Sequence, residues 1–427
     1  MKKLNNIELF AGAGGLLDGF EKTGNYNLIG AVEWLKPQVR TLIHRLDSRY
    51  GIQDAEEKVL NFDIQRTDEL LNGWSEDPEF GTSIGLDELA NGKTVDVISG
   101  GPPCQAYSLA GRIRDKNGMK DDYRNFLFEA YIRVVNHFKP KVIVFENVEG
   151  ILSAIPTGEK IVDLIHAAFD EAGYEIVDDL RKYALLDLTE FGVPQKRKRV
   201  IIVGIRRDVD DVDYQALLKD FYTNTLSTMK VDTKSTVRDA IADLPPIYPL
   251  GEPVKRQAYE NNSGVNGHSV RFHSKRDQEI FHSLAKDIED EEFLYNSSDK
   301  LIELYYEKTG KRTNVHKYHV LRWDEPSNTI PAHLKKDGLR HIHPDSSQKR
   351  SITVREAARL QTFDDDFEFN ESQVSNFEMI GNAVPPLFAE KLGGLIPGLL
   401  SEIAQNRIKE RQNEISLFDV ETLEVIE

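Results

Sequence analysis

The chain has 427 residues, 40% apolar and 29% charged, an ordinary globular composition with length for two or three domains. It contains no apolar run long enough to cross a membrane as a helix, and the opening Met1-Lys2-Lys3 leads into Asn5, Asn6 and Glu8 rather than the apolar core of a secretory signal. A single cysteine, Cys104, excludes an internal disulfide and fits a reducing cytoplasm. The net charge of −17 is unusual for a nucleic-acid partner. Between Arg181 and Arg207, however, eight basic residues face only Asp187 and Glu190.

In chain order, short apolar runs alternate with longer amphipathic ones. Strands are expected at residues 7–10, 28–32, 95–99, 142–145, 183–186 and 200–205, and helices at 16–23, 124–138 and 158–172. This alternation builds an α/β fold with a doubly wound, mostly parallel sheet. Residues 72–93, rich in Gly, Asp and Glu, read as an insertion loop. Beyond Arg207 the rhythm stops. Residues 209–323 are polar and irregular, and 323–343, with Pro326, Pro331 and Gly338, are mostly loop. A helix is expected at 354–361 and a last one at 387–395, and the charged tail from Gln405 reads as either helical or disordered.

Four segments carry chemistry. Phe10-Ala11-Gly12-Ala13-Gly14-Gly15 follows a strand and opens a helix, where glycines let the backbone approach a ligand at the helix N-terminus. Glu33 closes the next strand, where a carboxylate can accept from ribose hydroxyls. Without a ligand, this is simply a glycine-rich turn. Gly100-Gly101-Pro102-Pro103-Cys104-Gln105 follows the strand at 95–99. A lone cysteine is usually a small buried hydrophobe, but one just past the carboxyl end of a parallel strand sits in the ligand crevice of an open α/β sheet. Its thiolate is then a nucleophile. The apolar strand at 142–145 ends in Glu146-Asn147, placing a carboxylate near that thiol if the two strands are neighbours. In Gln195-Lys196-Arg197-Lys198-Arg199, alternation points Gln195, Arg197 and Arg199 to one side, either as a solvated basic edge or as a grip on phosphate or a carbonyl oxygen.

Taken in order, these segments resemble motifs of the cytosine-5 DNA methyltransferases, as do Arg355-Glu356-Ala357-Ala358-Arg359-Leu360-Gln361 and Gly381-Asn382-Ala383-Val384-Pro385. The resemblance implies a Rossmann-like methyltransferase sheet formed by residues 1–207 with 372–400, a smaller irregular target-recognition domain at 208–371, and a tail at 401–427. It implies catalytic roles for Cys104 as nucleophile, Glu146 at the base's amino edge, Arg199 at its oxygen and Arg197 near the target phosphate. It implies S-adenosyl-L-methionine held by Phe10, Gly12, Gly14, Gly15, Leu16, Glu33, Trp34, Asp63, Ile64, Pro102, Leu127, Asn382, Ala383 and Val384. Contacts to double-stranded DNA are expected from Gln105, Arg112, Arg114, Gln195, Thr329, Lys335, Lys336 and Arg340. His333, His341 and His343 are read as surface histidines rather than metal ligands. A cytoplasmic bacterial or phage enzyme is expected, monomeric and paired with a restriction endonuclease of the same site. The rivals are an RNA cytosine methyltransferase, a nucleotide-dependent oxidoreductase and a DNA-binding protein without catalysis.

Overall fold

The computed structural model describes residues 2–102, 127–155, 160–208, 212–313 and 317–424. Its centre is a sheet of β1 (Leu4–Leu9), β2 (Tyr26–Glu33), β3 (Val59–Asn61), β4 (Val97–Gly100), β5 (Val142–Val148), β6 (Tyr174–Glu175), β7 (Leu185–Asp187) and β8 (Lys198–Arg206). The order is β3-β2-β1-β4-β5-β8-β6, with β7 also beside β8. β1 to β5 pair in parallel, and β8 runs antiparallel to β5, β6 and β7. β5 and β8 carry runs of Val and Ile buried on both faces, as a sheet covered by helices on either side requires, while β1 buries Asn5, Asn6 and Glu8 beside Ile7 and Leu9. Helices α1 (Gly15–Lys22), α2 (Lys36–Tyr50), α3 (Leu127–Phe138) and α4 (Ile161–Glu171) supply such cover.

Register explains why the sequence motifs meet. Leu9 lies opposite Val32 on one side and Gly100 on the other, and Gly100 lies opposite Phe145. Four strands thus end in line, so Phe10, Glu33, Gly101 and Glu146 emerge at the same sheet edge. β1 is also where the strand order reverses, the crevice that open α/β sheets use for ligands.

A second body is built from α5 (Lys275–Glu289), α6 (Ser298–Thr309), α7 (Val354–Leu360) and α8 (Gln373–Asn382). Its largest apolar cluster includes Val237, Leu321, Ile330, Leu360, Phe367 and Phe377. The chain then returns to the sheet through α9 (Pro386–Glu424), which packs on α1.

Several expectations need correction. Residues 72–93 form a hairpin, Trp74–Asp77 with Gly81–Ser83, and a helix, Gly85–Ala90. Trp74 stacks on Phe62 at 3.8 Å between ring centroids, and Leu86 is buried in the main core. The acidic composition hid a few well-placed apolar anchors. Residues 209–323 contain α5 and α6, so they are more regular than their polarity suggests. The segment at 183–186 splits into a helical turn, Leu180–Tyr183, capped by Asp179, and β7. The last helix runs far past 395, through Pro397. Proline removes the N–H that would bond the carbonyl four residues back, and that carbonyl, on Gly393, instead accepts from the Tyr26 hydroxyl at 2.7 Å.

Gly381 marks a close approach of α8 to the loop at 331–332. A Cβ there would run into the backbone of Pro331 and Ala332. Gly381→Ala should therefore destabilise by about 1–3 kcal/mol in urea unfolding. Gly394→Ala, at a helix position where a Cβ meets nothing, should be neutral or stabilising by up to about 1 kcal/mol. Equal effects at the two sites would contradict this packing.

Candidate active site

The first wall is the glycine loop. Phe10, Gly12 and Gly14 all have positive φ, at 57°, 58° and 86°, so the chain turns sharply from β1 into α1. Gly12 N–H donates to Glu33 Oε2 at 2.8 Å, and Leu35 N–H donates to Oε1 at 2.8 Å. Burial pushes the Glu33 carboxyl up, partly offset by these backbone donors. A Cβ on Gly12 would meet nothing within 4 Å, so open space lies beside the loop next to a fixed carboxylate. Trp34 follows, 44% exposed, its carbonyl held by Asn61 Nδ2 at 2.7 Å. Asp63 Oδ1 accepts from Gln65 N–H at 3.0 Å. Leu16, Ile64 and Leu127 lie behind this surface, with side chains buried in the main core. From the far end of the chain, Val384 brings its carbonyl to where a Cβ on Gly15 would sit, with the Ala383 methyl 2.9 Å away. Ala383 and Val384 are buried, and Asn382 is exposed.

The second wall is the pair of strand ends β4 and β5. Gly101 passes so close to Glu146 that a Cβ would lie 2.6 Å from Oε2. Asn147 Nδ2 donates to the Pro102 carbonyl at 3.4 Å. The chain leading to Cys104 is thus held against Glu146 at Gly101 and Pro102. Cys104, Gln105, Arg112 and Arg114 lie outside the described residues, Cys104 two positions after Pro102.

The third wall is β8. Val148 lies opposite Arg199 and Glu146 opposite Ile201, which makes Glu146 and Arg199 diagonal neighbours on one face. Arg199 Nε sits 2.8 Å from Glu146 Oε1, with both side chains 13% exposed. The Nε hydrogen is not aligned on that oxygen, so the contact is an ion pair without a directed hydrogen bond. Burial lowers the Arg199 pKa, against the pull of Glu146.

Two residues expected at DNA are buried instead. Gln195 donates to the Leu360 carbonyl at 2.9 Å and to Gln361 Oε1, and accepts from Ile330 N–H at 3.1 Å. Its amide is fully engaged inside the protein. Arg197 is fully buried and donates to the carbonyls of Ile330 at 3.2 Å, Gly381 at 3.2 Å and Ala383 at 2.8 Å. Burial pushes its pKa well down, with Arg199 adding to the effect. Gln195 and Arg197 do share a direction, as alternation requires, but it leads into the join between the two bodies. Of the four residues expected to read DNA from 329–340, Thr329, Lys336 and Arg340 are exposed, whereas Lys335 pairs with Glu378 at 2.6 Å. His341 and His343 are buried, not on the surface, and desolvation pushes both down to about 3. The buried pair Arg350–Glu356, at 2.7 Å, was missed. The Thr353-x-x-Glu356 capping box was its available signal.

Residues 4–397 match the family described as C-5 cytosine-specific DNA methylase. The chain belongs to that family. Its relatives include the type II methyltransferases M.Bpa9945I of Bacillus paralicheniformis (32% identical, covering 90% of this chain and 96% of that one) and M.AgeI of Thalassovita gelatinovora (30%, covering 93% and 100%). Among solved structures, a protein titled as a candidate DNA modification methyltransferase of an Escherichia coli prophage aligns over 93% of this chain and 100% of its own. Its TM-score is 0.60 at 23% identity, a likeness of fold.

Glu8, one residue before the end of β1, is buried beneath the glycine loop, and Ser99 Oγ lies 3.4 Å away. Desolvation pushes its carboxyl up to about 8, opposed by Ser99 and the Leu17 N–H. A folded-state pKa above the unfolded value contributes stability that is full at low pH and is lost as pH rises through the folded value. The stability of Glu8→Gln relative to the natural protein should therefore improve steadily from about pH 5 to pH 9 in thermal unfolding. A difference flat across that range would mean that Glu8 does not change protonation there.

Proposed function

We propose that this DNA cytosine methyltransferase flips one cytosine out of a specific duplex sequence and forms a covalent adduct through Cys104. The base sits inside the duplex stack, so it must leave the helix to be reached. The Cys104 thiolate adds to carbon 6 and shifts electron density to carbon 5, splitting a hard aromatic substitution into easier steps. Glu146 holds the amino edge of the base, and Arg199 faces its carbonyl oxygen. Their unaligned ion pair supports this reading, since each partner keeps hydrogen-bonding capacity for a ligand. The single observation that carries it is the contact of Gly101 and Pro102 with Glu146-Asn147, which joins the nucleophile's loop to the acid-base strand end. Once carbon 5 carries the methyl group it gives up its proton to a base, and the electrons of that C–H bond expel the Cys104 thiolate from carbon 6, which frees the product.

S-adenosyl-L-methionine supplies an electrophilic methyl on a sulfonium. The open space beside Gly12 and the backbone-fixed carboxylate of Glu33 fit its ribose, with Trp34 and Phe10 placed for adenine and Asp63 at its edge. Gly14, Gly15, Leu16, Ile64, Pro102, Leu127 and the returning Asn382–Val384 segment complete the same site. Arg197 acts by positioning: it fixes that segment and the 330 loop rather than touching phosphate. Gln105, Arg112, Arg114, Thr329, Lys336 and Arg340 contact the DNA. The type II names of the relatives fit a companion restriction endonuclease with the same site, and the reading takes the enzyme as a cytoplasmic monomer. Among the described residues, no helix is long and apolar enough to cross a membrane.

DNA carrying 5-fluorocytosine tests the chemistry, because fluorine cannot leave as the proton does. The natural protein with S-adenosyl-L-methionine should give a denaturant-stable adduct, and Cys104→Ser should give none. Glu146→Gln should slow trapping by roughly a hundredfold or more. Cofactor binding without any adduct on mixed-sequence DNA, combined with methylation of RNA, would overturn the DNA mechanism.

A further inference from the structure

We propose that Lys196, Arg322 and Arg340, with His319 among them, form a seat for a backbone phosphate of the substrate DNA, and that the Glu325 carboxylate pairs with Lys196 and Arg322 in the free protein. This rests on the reading of the chain as a DNA enzyme and adds where the strand is gripped. Three segments meet at this surface. The two-residue strand Gln195–Lys196 pairs in parallel with Ser327–Asn328. Asn328 Nδ2 donates to the Arg340 carbonyl at 3.0 Å, and Thr329 Oγ1 donates to the Lys196 carbonyl at 2.5 Å. His319 N–H donates to the Leu339 carbonyl at 3.0 Å, and Ile342 N–H returns to the His319 carbonyl at 3.0 Å. These hydrogen bonds, with Leu321 N–H donating to the Ile342 carbonyl at 3.0 Å beside Arg322, tie together the segments that carry Lys196, His319, Arg322 and Arg340.

The charges are unbalanced. Glu325 Oε2 lies 2.8 Å from Lys196 Nζ, and Oε1 lies 4.0 Å from Arg322 Nε. The neighbouring Asp324 is taken by Arg238 at 3.0 Å, and Asp337 faces Lys317 at 3.8 Å. His319 lies within the field of Arg322, Lys196, Glu325 and Arg340 together. One exposed carboxylate thus meets Lys196 and Arg322, while Arg340 adds a third permanent cation around His319, on a chain whose net charge is −17. Such a local excess is where an anion is gained most readily. Lys196 belongs to the same extended segment as Arg197 and Arg199 but stands on its opposite, exposed side. A flipped nucleotide stays joined to the duplex through its two phosphates, so cations exposed on this segment are open to the backbone around it. Arg322 is braced at 5.4 Å over the Phe293 ring, which limits the freedom it would lose on gripping a phosphate.

Exchange of Glu325 for a phosphate predicts opposite signs for neighbouring substitutions. Affinity for a 30-base-pair duplex of mixed sequence would be measured by anisotropy across a salt series, where binding is governed by phosphate neutralisation. Arg322→Gln and Arg340→Gln should each weaken binding several-fold and lower the slope of log K against log salt by about one. Glu325→Gln should tighten binding roughly twofold to fivefold. Arg322→Lys should restore the slope. Thermal midpoints and S-adenosyl-L-methionine affinity should be unchanged throughout, which separates a lost phosphate contact from a damaged fold. Unchanged slopes in both arginine variants, or weaker binding by Glu325→Gln, would overturn the proposal. Failure to methylate any DNA while these slopes hold would instead count against the mechanism above.

Discussion

The two bodies of this protein are held in register by one buried guanidinium. Arg197 has no carboxylate among its hydrogen-bond partners and is fully desolvated, an arrangement that ordinarily shifts or expels a charge. The desolvation is offset by its position at the end of α8, where the last carbonyls of a helix lack partners and carry partial negative charge. Gly381 and Ala383 supply two of the three acceptors, and Ile330 supplies the third. Replacing the arginine with an apolar residue would leave all three carbonyls buried without a donor, each a larger loss than the bond itself. Gln195 and Gln361 extend the hub, with Gln361 Nε2 donating to the Ala383 carbonyl at 2.5 Å. The start of β8, the loop at 330 and the segment returning to the glycine loop therefore share one polar core.

The same logic explains what could be read in the sequence. Sheet strands built from Val and Ile, and motifs placed where those strands end, arise from local pattern, so Phe10, Glu33, Pro102, Glu146 and Arg199 were placed without tertiary information. Gln195 and Arg197 show the limit. Alternation gives their common direction, but whether that direction leads to solvent or into a domain join depends on residues more than 130 positions away. His341 and His343 fail as predictions for the same reason, because a loop that looks polar is covered by α5, α7 and the strand-like pairing at 342–351. The hairpin at 74–83 was hidden because only Trp74 and Phe80 tie it to Phe62. The long α9 was hidden because a proline ordinarily ends a helix, and only the distant Tyr26 hydroxyl makes this one tolerable.

Glu146 and Arg199 illustrate the complementary case, in which local pattern suffices but geometry adds meaning. An aligned, bidentate pair would be self-satisfied and would have to be broken for a base to enter. The observed pair is close without being aligned, so electrostatic attraction holds the two groups in place while their directed bonding capacity stays available. Such partial satisfaction is costly in a core and is tolerated where a ligand completes it.

The packing of α9 on α1 also has a consequence in time. Gly19 lies under Ala389, Gly393 lies against the Phe20 ring, and Val384 closes the floor beneath Gly15. The residues that support the glycine loop are thus made some 370 positions after it. At ordinary rates of synthesis the ribosome needs roughly 20 to 70 seconds to cover that distance. Throughout that interval the emerging chain has its glycine loop but not the floor that shapes it. Completion of the glycine loop thereby waits on a segment made some 370 residues later, so a chain that stops before residue 384 lacks the floor of its own loop.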